Sequence, residues 1–246
     1  MGTFQFKKFS VVNERSAMKV NTDGVLLGAV MAIKPEDRRL LDIGTGTGTI
    51  ALMAAQRLAD VQGHSAYPQI SAIDIDEPSA TEAALNFAAS PWSNSIQAYN
   101  LSLDQYADTL AEDARFDLIF SNPPYFEDSL TAPDQRKSTA RHTCDGLSYR
   151  DIFDFAAKRL SENGRVAFVL PSDQELQLCR YARMSGLHLF RMTKVRTVPR
   201  KAPSRMIAEF SRERCDAPQE DIITIQNEGK YTSEYLSLVK EFYLFA

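Results

Sequence analysis

The stretch Arg39-Leu40-Leu41-Asp42-Ile43-Gly44-Thr45-Gly46-Thr47-Gly48-Thr49-Ile50-Ala51-Leu52 decides the fold class. Residues 40–43 are a short apolar run that reads as a buried strand. From about 49 to 59, Ile50, Met53, Ala54 and Leu58 recur at helical spacing. Gly44, Gly46 and Gly48 stand at the turn between them. Glycine takes dihedrals that other residues avoid, and it lets a ligand come close to the main chain. The helix behind the turn presents first-turn N–H groups that have no helical acceptor.

Working outward, the same alternation repeats. Residues 70–75 form the next strand, which carries Asp74 near its end and runs into Asp76. Pro78 stands near a helix start, with Ala80, Ala83, Ala84, Leu85 and Phe87 along the helix. Pro91-Trp92 breaks that pattern, and residues 96–101 read as a third strand followed by Ser102-Leu103. Residues 118–120 are again an apolar strand. Ser148 and Asp151 resemble a capping box before an amphipathic helix that carries Ile152, Phe155, Ala156 and Leu160. A strand follows Gly164 over 165–170, and Pro171-Ser172 opens a helix that ends near Gly186. Residues 188–198 alternate as a strand, and 206–210 read as a closing antiparallel strand. Strands alternating with helices from 39 to 186 predict an α/β fold, with a mostly parallel sheet covered by helices on both faces. The antiparallel pair at the end makes the sheet mixed.

The flanks are less regular. Phe4, Phe6 and Phe9 interleave with Lys7 and Lys8. This pattern reads as an edge strand or hairpin with one aromatic face, or else as a lip over a site or an RNA-touching arm. Thr22 or Asp23 is expected to cap a helix running to about Ile33, before Pro35. Residues 60–69 read as a loop, and the polar stretch 127–146 is long enough to be a lid or binding segment. The end of the chain, from Tyr231 on, reads as an amphipathic helix.

Composition narrows the function. The chain has 246 residues, 44% hydrophobic and 24% charged, which suits one α/β domain with extensions. We expect residues 1–34 to be an extension or lid and 35–246 a catalytic core. The net charge of −4 excludes a polycation, so nucleic-acid contacts must be local patches. No run approaches the roughly 18 apolar residues of a membrane span. The start lacks a signal-peptide apolar region, and Phe6 argues against myristoylation after Met1-Gly2. Cys144, Cys179 and Cys215 are far apart, as expected of free thiols in a reducing cytoplasm. His64, His142 and His188 have no metal-ligand spacing, so no metal is expected.

The chemistry centres on Phe116-Asp117-Leu118-Ile119-Phe120-Ser121-Asn122-Pro123-Pro124-Tyr125. Neither proline can donate a backbone N–H, and the residue before each is pushed to extended geometry. The strand therefore ends abruptly in an amide oxygen, a stiff carbonyl and an aromatic ring. Such a tip can hold a planar group bearing an NH2. The glycine turn admits two cofactors. Gly46-x-Gly48-x-x-Ala51 loosely fits a dinucleotide pyrophosphate turn. S-adenosylmethionine brings a sulfonium cation and an amine instead, and Asp42 suits these better than a polyanion. Asp74 can accept from both ribose hydroxyls of either cofactor, or it can simply cap the next helix. In a sheet of this kind ligands gather at the carboxyl ends of strands, where all these residues fall.

Asp42-x-Gly44-x-Gly46-x-Gly48, Asp74 and Asn122-Pro123-Pro124-Tyr125 together resemble the amino-group branch of the class I S-adenosylmethionine-dependent methyltransferases. Within that branch, Phe6-Lys7-x-Phe9, the run from Lys19 to Gly28 and the closing Tyr231-Thr232-x-Glu234-Tyr235 with Phe242-Tyr243-Leu244 resemble the tRNA adenine-N6 methyltransferases. That family methylates the adenine beside the anticodon of a valine tRNA. The resemblance covers nearly the whole chain. It implies a Rossmann-like, seven-stranded sheet with a terminal antiparallel strand, and S-adenosylmethionine as cofactor. It assigns Thr22, Asp23, Asp42, Gly44, Gly46, Gly48 and Asp74 to the cofactor, and Asn122, Pro123, Pro124 and Tyr125 to catalysis. Ser102-Leu103 stands where the family often has an Asp after the third strand, so Ser102 and Leu103 are the expected adenine-side contacts, chiefly through the Leu103 amide.

The expected reaction is methylation of adenine N6 in tRNA, with Tyr125 stacked on the base. A ribosomal guanine-N2, protein glutamine-N5 or DNA adenine methyltransferase shares the amine pocket. The last two normally need a recognition domain, for which 38 residues before the first core strand leave little room. A non-enzymatic Rossmann-type nucleotide-binding protein is the alternative of another class. Lys7, Lys8, Arg196, Arg200, Lys201 and Arg205 are the candidate RNA contacts, with a solvated hairpin face as the plain reading of the last four. A monomer is expected.

Overall fold

The computed structural model describes residues 2–62, 68–124 and 147–246. Tyr125 and the polar stretch 127–146, expected as a stacking ring and a lid, lie outside the described residues. The chain begins with a hairpin of β1 (Thr3–Gln5) and β2 (Ser10–Val12), then α1 (Thr22–Val30). Strand and helix then alternate through β3 (Arg39–Ile43), α2 (Thr49–Gln62), β4 (Gln69–Asp74), α3 (Glu77–Ala88), β5 (Ile96–Asn100) and α4 (Leu103–Thr109). They continue through β6 (Phe116–Ser121), α5 (Tyr149–Arg159), β7 (Leu160–Pro171), α6 (Glu175–Met184) and β8 (His188–Arg196). The rest comprises β9 (Arg205–Ser211), β10 (Gln219–Thr224), a small hairpin of β11 (Gln226–Asn227) with β12 (Lys230–Tyr231), and α7 (Ser233–Val239).

Among the described residues the central sheet has eight strands in the order β10-β8-β9-β7-β6-β3-β4-β5. This corrects the expected count of seven. The extra strand, β10, pairs in parallel along the outer edge of β8. Its polar opening, Gln219-Glu220-Asp221, hides it from a hydrophobic reading but suits an edge strand. The antiparallel strand β9 is not terminal either. It lies between β7 and β8 and is antiparallel to both. Met206 to Phe210 are all buried, as in a strand covered on both faces.

The core occupies both faces, as alternating side chains require. Leu40 and Phe120 face the side covered by α1, α2 and α7, and Leu41 and Ile119 face the side covered by α5 and α6. The N-terminal aromatics belong to the first face. Phe6 stacks on Phe9 at 4.5 Å and on Tyr243 at 5.9 Å between ring centroids. The hairpin reading of this segment therefore holds.

Helix α1 differs at both ends from the expectation. Its cap is Asn21, which has extended dihedrals and accepts from the Gly24 N–H at 2.8 Å. Thr22 and Asp23 are already helical. At the other end the helix stops at Val30, and guanidinium groups take carbonyls in the last turn and just beyond it. Arg57 donates to Gly28 and Met31, Arg191 to Val30, and Arg165 to Ala32. Buried carboxylates hold two of these arginines. Arg165 pairs with Asp37 at 2.6 Å, and Arg191 pairs with Glu209, which also accepts from the Ala32 N–H at 2.7 Å. Burial pushes the Arg57 guanidinium down to about 10.

Removing one partner of a buried pair leaves an uncompensated charge. Asp37→Ala should therefore destabilise the protein by about 3–5 kcal/mol, read as a lower urea midpoint with an unchanged slope. A loss under ~1 kcal/mol would mean that water reaches Arg165 there.

Candidate active site at the strand tips

The chain winds outward through β3, β4 and β5, then returns to place β6 on the other side of β3. A sheet that reverses in this way opens a crevice outside the carboxyl ends of the two inner strands. Ile43 pairs with Ser121 there, so the glycine turn and Asn122 leave neighbouring tips. The Ser121 hydroxyl donates to the Ile43 carbonyl at 2.6 Å and ties the tips together.

The glycine turn needs its glycines. Gly44, Gly46 and Gly48 have φ of +73°, +56° and +80°. A Cβ on Gly48 would fall 2.4 Å from the Phe87 ring, so that residue also lets α2 pack against α3. The Gly44 and Thr45 N–H groups both donate to the Ile73 carbonyl. The Gly46 N–H donates to Asp74 Oδ2 at 2.8 Å.

Asp42 is fully buried beneath this turn. Its Oδ2 accepts from the Thr45 hydroxyl at 2.7 Å, and its Oδ1 has no hydrogen-bond partner among the described residues. Burial pushes the carboxyl up to about 7. The Thr45 hydrogen bond opposes that shift, and the charge of Asp74 adds to it. The Ala51 N–H also lowers the carboxyl, but the spare acceptor capacity at Oδ1 fits a ligand that brings a cation or N–H groups.

Asp74 takes the Asp76 N–H on Oδ1 and Gly46 on Oδ2, and burial raises its carboxyl. Each oxygen keeps a further lone pair for a hydroxyl. The cap of α3 is Asp76, so Asp74 has no capping duty. The Asn100 side chain donates to the Asp74 and Ile75 carbonyls and sets the next tip beside it. Ser102 is occupied by a capping box with Gln105. Leu103 opens α4, and its N–H has no acceptor within the helix.

Asn122 and Pro123 are buried, whereas Pro124 is exposed. Asn122 Nδ2 donates to Met18 Sδ at 3.4 Å. Thr22 is exposed, and Asp23 forms an ion pair with Arg205 at 2.8 Å. Two further hollows, of about 280 and 310 Å³, lie between α5 and α6 and around Asp37 and Asp117. Neither touches the strand tips.

Residues 13–20, part of the expected extension or lid but with no side chain named for the site, cross the glycine turn as a strap. A Cβ on Gly46 would sit 3.5 Å from the Ser16 hydroxyl. Glu82 of α3 accepts from the Glu14, Arg15 and Ser16 N–H groups. Burial alone would raise its carboxyl, but these amides and Lys19 outweigh that and lower it. Asn86 bonds both backbone groups of Val12 and the Thr47 carbonyl. The signal was present in the sequence: Glu82 and Asn86, four apart, share one face of an alanine-rich helix.

The basic candidates divide. Lys7 donates to the Lys240 and Ala246 carbonyls, and Lys8 pairs with Asp60. Arg196 bonds Thr224 and the Pro199 carbonyl. Arg200 and Lys201 are exposed between β8 and β9, at the carboxyl end of β8 and so on the crevice side of the sheet. Among the described residues no group of His, Cys, Asp and Glu could hold a metal, and no helix is long and apolar enough to cross a membrane.

Comparison with known proteins agrees with this geometry. The family profile described as Methyltransferase small domain matches residues 16–186. A Parabacteroides distasonis protein named tRNA1(Val) (adenine(37)-N6)-methyltransferase is 43% identical, over 98% of this chain and 97% of its own length. Relatives with the same name from Flavobacterium johnsoniae (37%; 98% and 99%) and Trichodesmium erythraeum (38%; 98% and 97%) match equally fully. Among solved structures, a predicted O-methyltransferase from Agrobacterium tumefaciens superposes with a TM-score of 0.64 at 15% identity, covering 89% of this chain and 96% of that one. The T. thermophilus 16S rRNA N2 G1207 methyltransferase, in complex with AdoMet and guanosine, has a TM-score of 0.52 at 20% identity, covering 83% and 47%. These two likenesses show the fold, a class I S-adenosylmethionine-dependent methyltransferase. The full-length relatives show the family: this chain belongs to the tRNA1(Val) (adenine(37)-N6)-methyltransferases.

Proposed function

We propose that this enzyme methylates the exocyclic N6 of adenine 37 in a valine tRNA, using S-adenosylmethionine. The observation that carries the reading is the pairing of Ile43 with Ser121, which sets a buried Asn-Pro tip directly beside a glycine turn. Asp42, Asp74 and the Leu103 amide, with the glycine turn, would hold the cofactor. When bound, it supplies a methyl group made electrophilic by a sulfonium.

The protein's own task is to prepare a poor nucleophile. The N6 lone pair of adenine is delocalised into the ring. Hydrogen bonds from N6–H to Asn122 Oδ1 and the Pro123 carbonyl favour a more tetrahedral nitrogen. They also stabilise the positive charge that grows there. Orientation supplies much of the remainder. No strong base is required, because the proton can leave after transfer. Tyr125 is our candidate for stacking on the base, worth ~1–3 kcal/mol. A loop base reaches the pocket more easily than a paired one. Guanine N2 or a glutamine amide presents the same NH2, so the tip alone does not choose. Full-length relatives sharing one named activity favour adenine.

Arg200 and Lys201 stand on the crevice side of the sheet and are our candidates for phosphate contacts. Thr22 and Asp23 stand beside the site at the start of α1. We read Asp23 as a brace to Arg205 as much as a cofactor contact. Lys7, Lys8, Arg196 and Arg205 already have partners within the chain, so they rank below Arg200 and Lys201 as RNA contacts. We further propose a monomeric cytoplasmic enzyme of one domain, with residues 1–34 as an extension over the core.

Three outcomes are expected. With unmodified tRNA and labelled cofactor, Asn122→Ala should cut N6-methyladenosine formation by about 10²–10³ while cofactor affinity stays constant. Wild-type turnover in that variant would end the reading. Reversing charge at Arg200 and Lys201 should weaken tRNA binding and reduce the salt slope by about two phosphate contacts; an unchanged slope moves the RNA surface elsewhere. The third outcome concerns pH. Asp42 keeps its proton up to about 7, and a cationic cofactor needs the carboxylate. Calorimetric affinity should therefore fall up to about tenfold per pH unit below 7 and level off above it. In Asp42→Asn the profile should be flat, and a flat wild-type profile would remove Asp42 from cofactor binding.

A further inference from the structure

Asn122 can serve an amine substrate in only one of the two orientations of its amide. A side-chain amide has an oxygen end that accepts and a nitrogen end that donates, and the two are nearly the same shape. An amine substrate needs the oxygen end. With the ends exchanged, two NH2 groups would face each other. The Asn122 amide therefore needs a neighbour that tells its ends apart.

We propose that Met18 is that neighbour: a positioning residue whose thioether holds the Asn122 Nδ2 end and so turns Oδ1 toward the acceptor base. The contact is 3.4 Å, from Nδ2 to Sδ. A thioether sulfur can accept a hydrogen bond but has no proton to donate, so it favours one of the two amide orientations. Met18 is anchored for this role. Its carbonyl accepts from the Ser16 hydroxyl at 3.0 Å, and that hydroxyl in turn accepts from Ser79 of α3. The Ser16 N–H is held by Glu82. The same two residues reach the cofactor side, with the Ser16 hydroxyl and the Met18 carbonyl 3.5 and 3.7 Å from where a Gly46 Cβ would lie. The strap thus connects the donor turn to the acceptor tip, and Met18 is its contact with the tip. Met18 is also 42% exposed, so its side chain is not there merely to fill the core.

This inference rests on the catalytic role proposed for Asn122, and the experiment separates the two. Met18→Leu keeps the apolar bulk and removes the acceptor. Met18→Glu restores an acceptor at similar reach that, once ionised, has no proton to donate. For each, kcat, KM for tRNA, cofactor affinity and melting temperature are measured, alone and with Asn122→Ala. Met18→Leu should lower kcat by about tenfold. Its KM, cofactor affinity and melting temperature should stay within twofold or a degree or two of wild type. Met18→Glu should recover most of the loss, and Met18→Leu should add nothing in the Asn122→Ala background. Wild-type kcat in Met18→Leu, equal loss in Leu and Glu, a loss confined to cofactor affinity, or an additive double variant would each overturn the proposal. If Asn122→Ala itself retains full turnover, the catalytic reading fails first. If it is inactive while Met18→Leu is normal, the role of Met18 alone is lost.

Discussion

Where β6 lies against β3, two strand ends that are far apart in sequence become neighbours, and the Ser121 hydroxyl bonded to the Ile43 carbonyl holds them in register. The meeting of the glycine turn with the Asn122 tip depends on that pairing. One tip continues into a turn of left-handed glycines over a buried carboxylate. The other ends in an amide and two prolines that cannot extend the ladder. A sheet that did not reverse its winding at this point would place other strands between them.

The surrounding structure keeps the two tips from drifting. Helix α1 begins beside the site, where Asp23 meets Arg205 at the start of β9, and ends in a collar of arginines. Arg165 and Arg191 are expensive to bury, and Asp37 and Glu209 offset that cost. The result is a helix fixed at both ends by charge, with its first turn held at the pocket. On the other flank, α3 contributes its one polar face. Glu82 and Asn86 accept and donate to the backbone of residues 12–16 and so fasten the strap over the glycine turn. Backbone bonds of this kind fix position without constraining the side chains of the strap.

Asp42 links this architecture to chemistry. In a dry site a carboxylate without a full set of donors holds its proton to a higher pH, and Asp42 does so to about 7. The fold therefore keeps a carboxyl group with an uncommitted oxygen buried at the turn. The exposed turn bearing Arg200 and Lys201 lies at the same end of the sheet, so an electrostatic contact and the reacting tips can serve one ligand.

Much of this was legible in the residues themselves. Period-two and period-3.6 patterns set out the strands and helices from β3 to α6 apart from the short α4, because a buried parallel sheet demands uninterrupted apolar runs. The glycines, Asp42, Asp74 and Asn122-Pro123-Pro124 announced a site, because few other residue types can make those turns or end a strand so abruptly. Other features depended on contacts between residues distant in the chain, and local pattern does not encode these. The place of β9 inside the sheet and the polar edge strand β10 follow from which strands pair. The cap at Asn21 follows from backbone dihedrals. The engagement of Lys7 and Lys8 by the chain itself, and the meeting of Met18 with Asn122 across more than one hundred residues, exist only once the fold has closed. The sequence by itself determined which chemistry is possible, since residue types carry it; tertiary packing decided which groups face one another, because only packing sets their distances and burial.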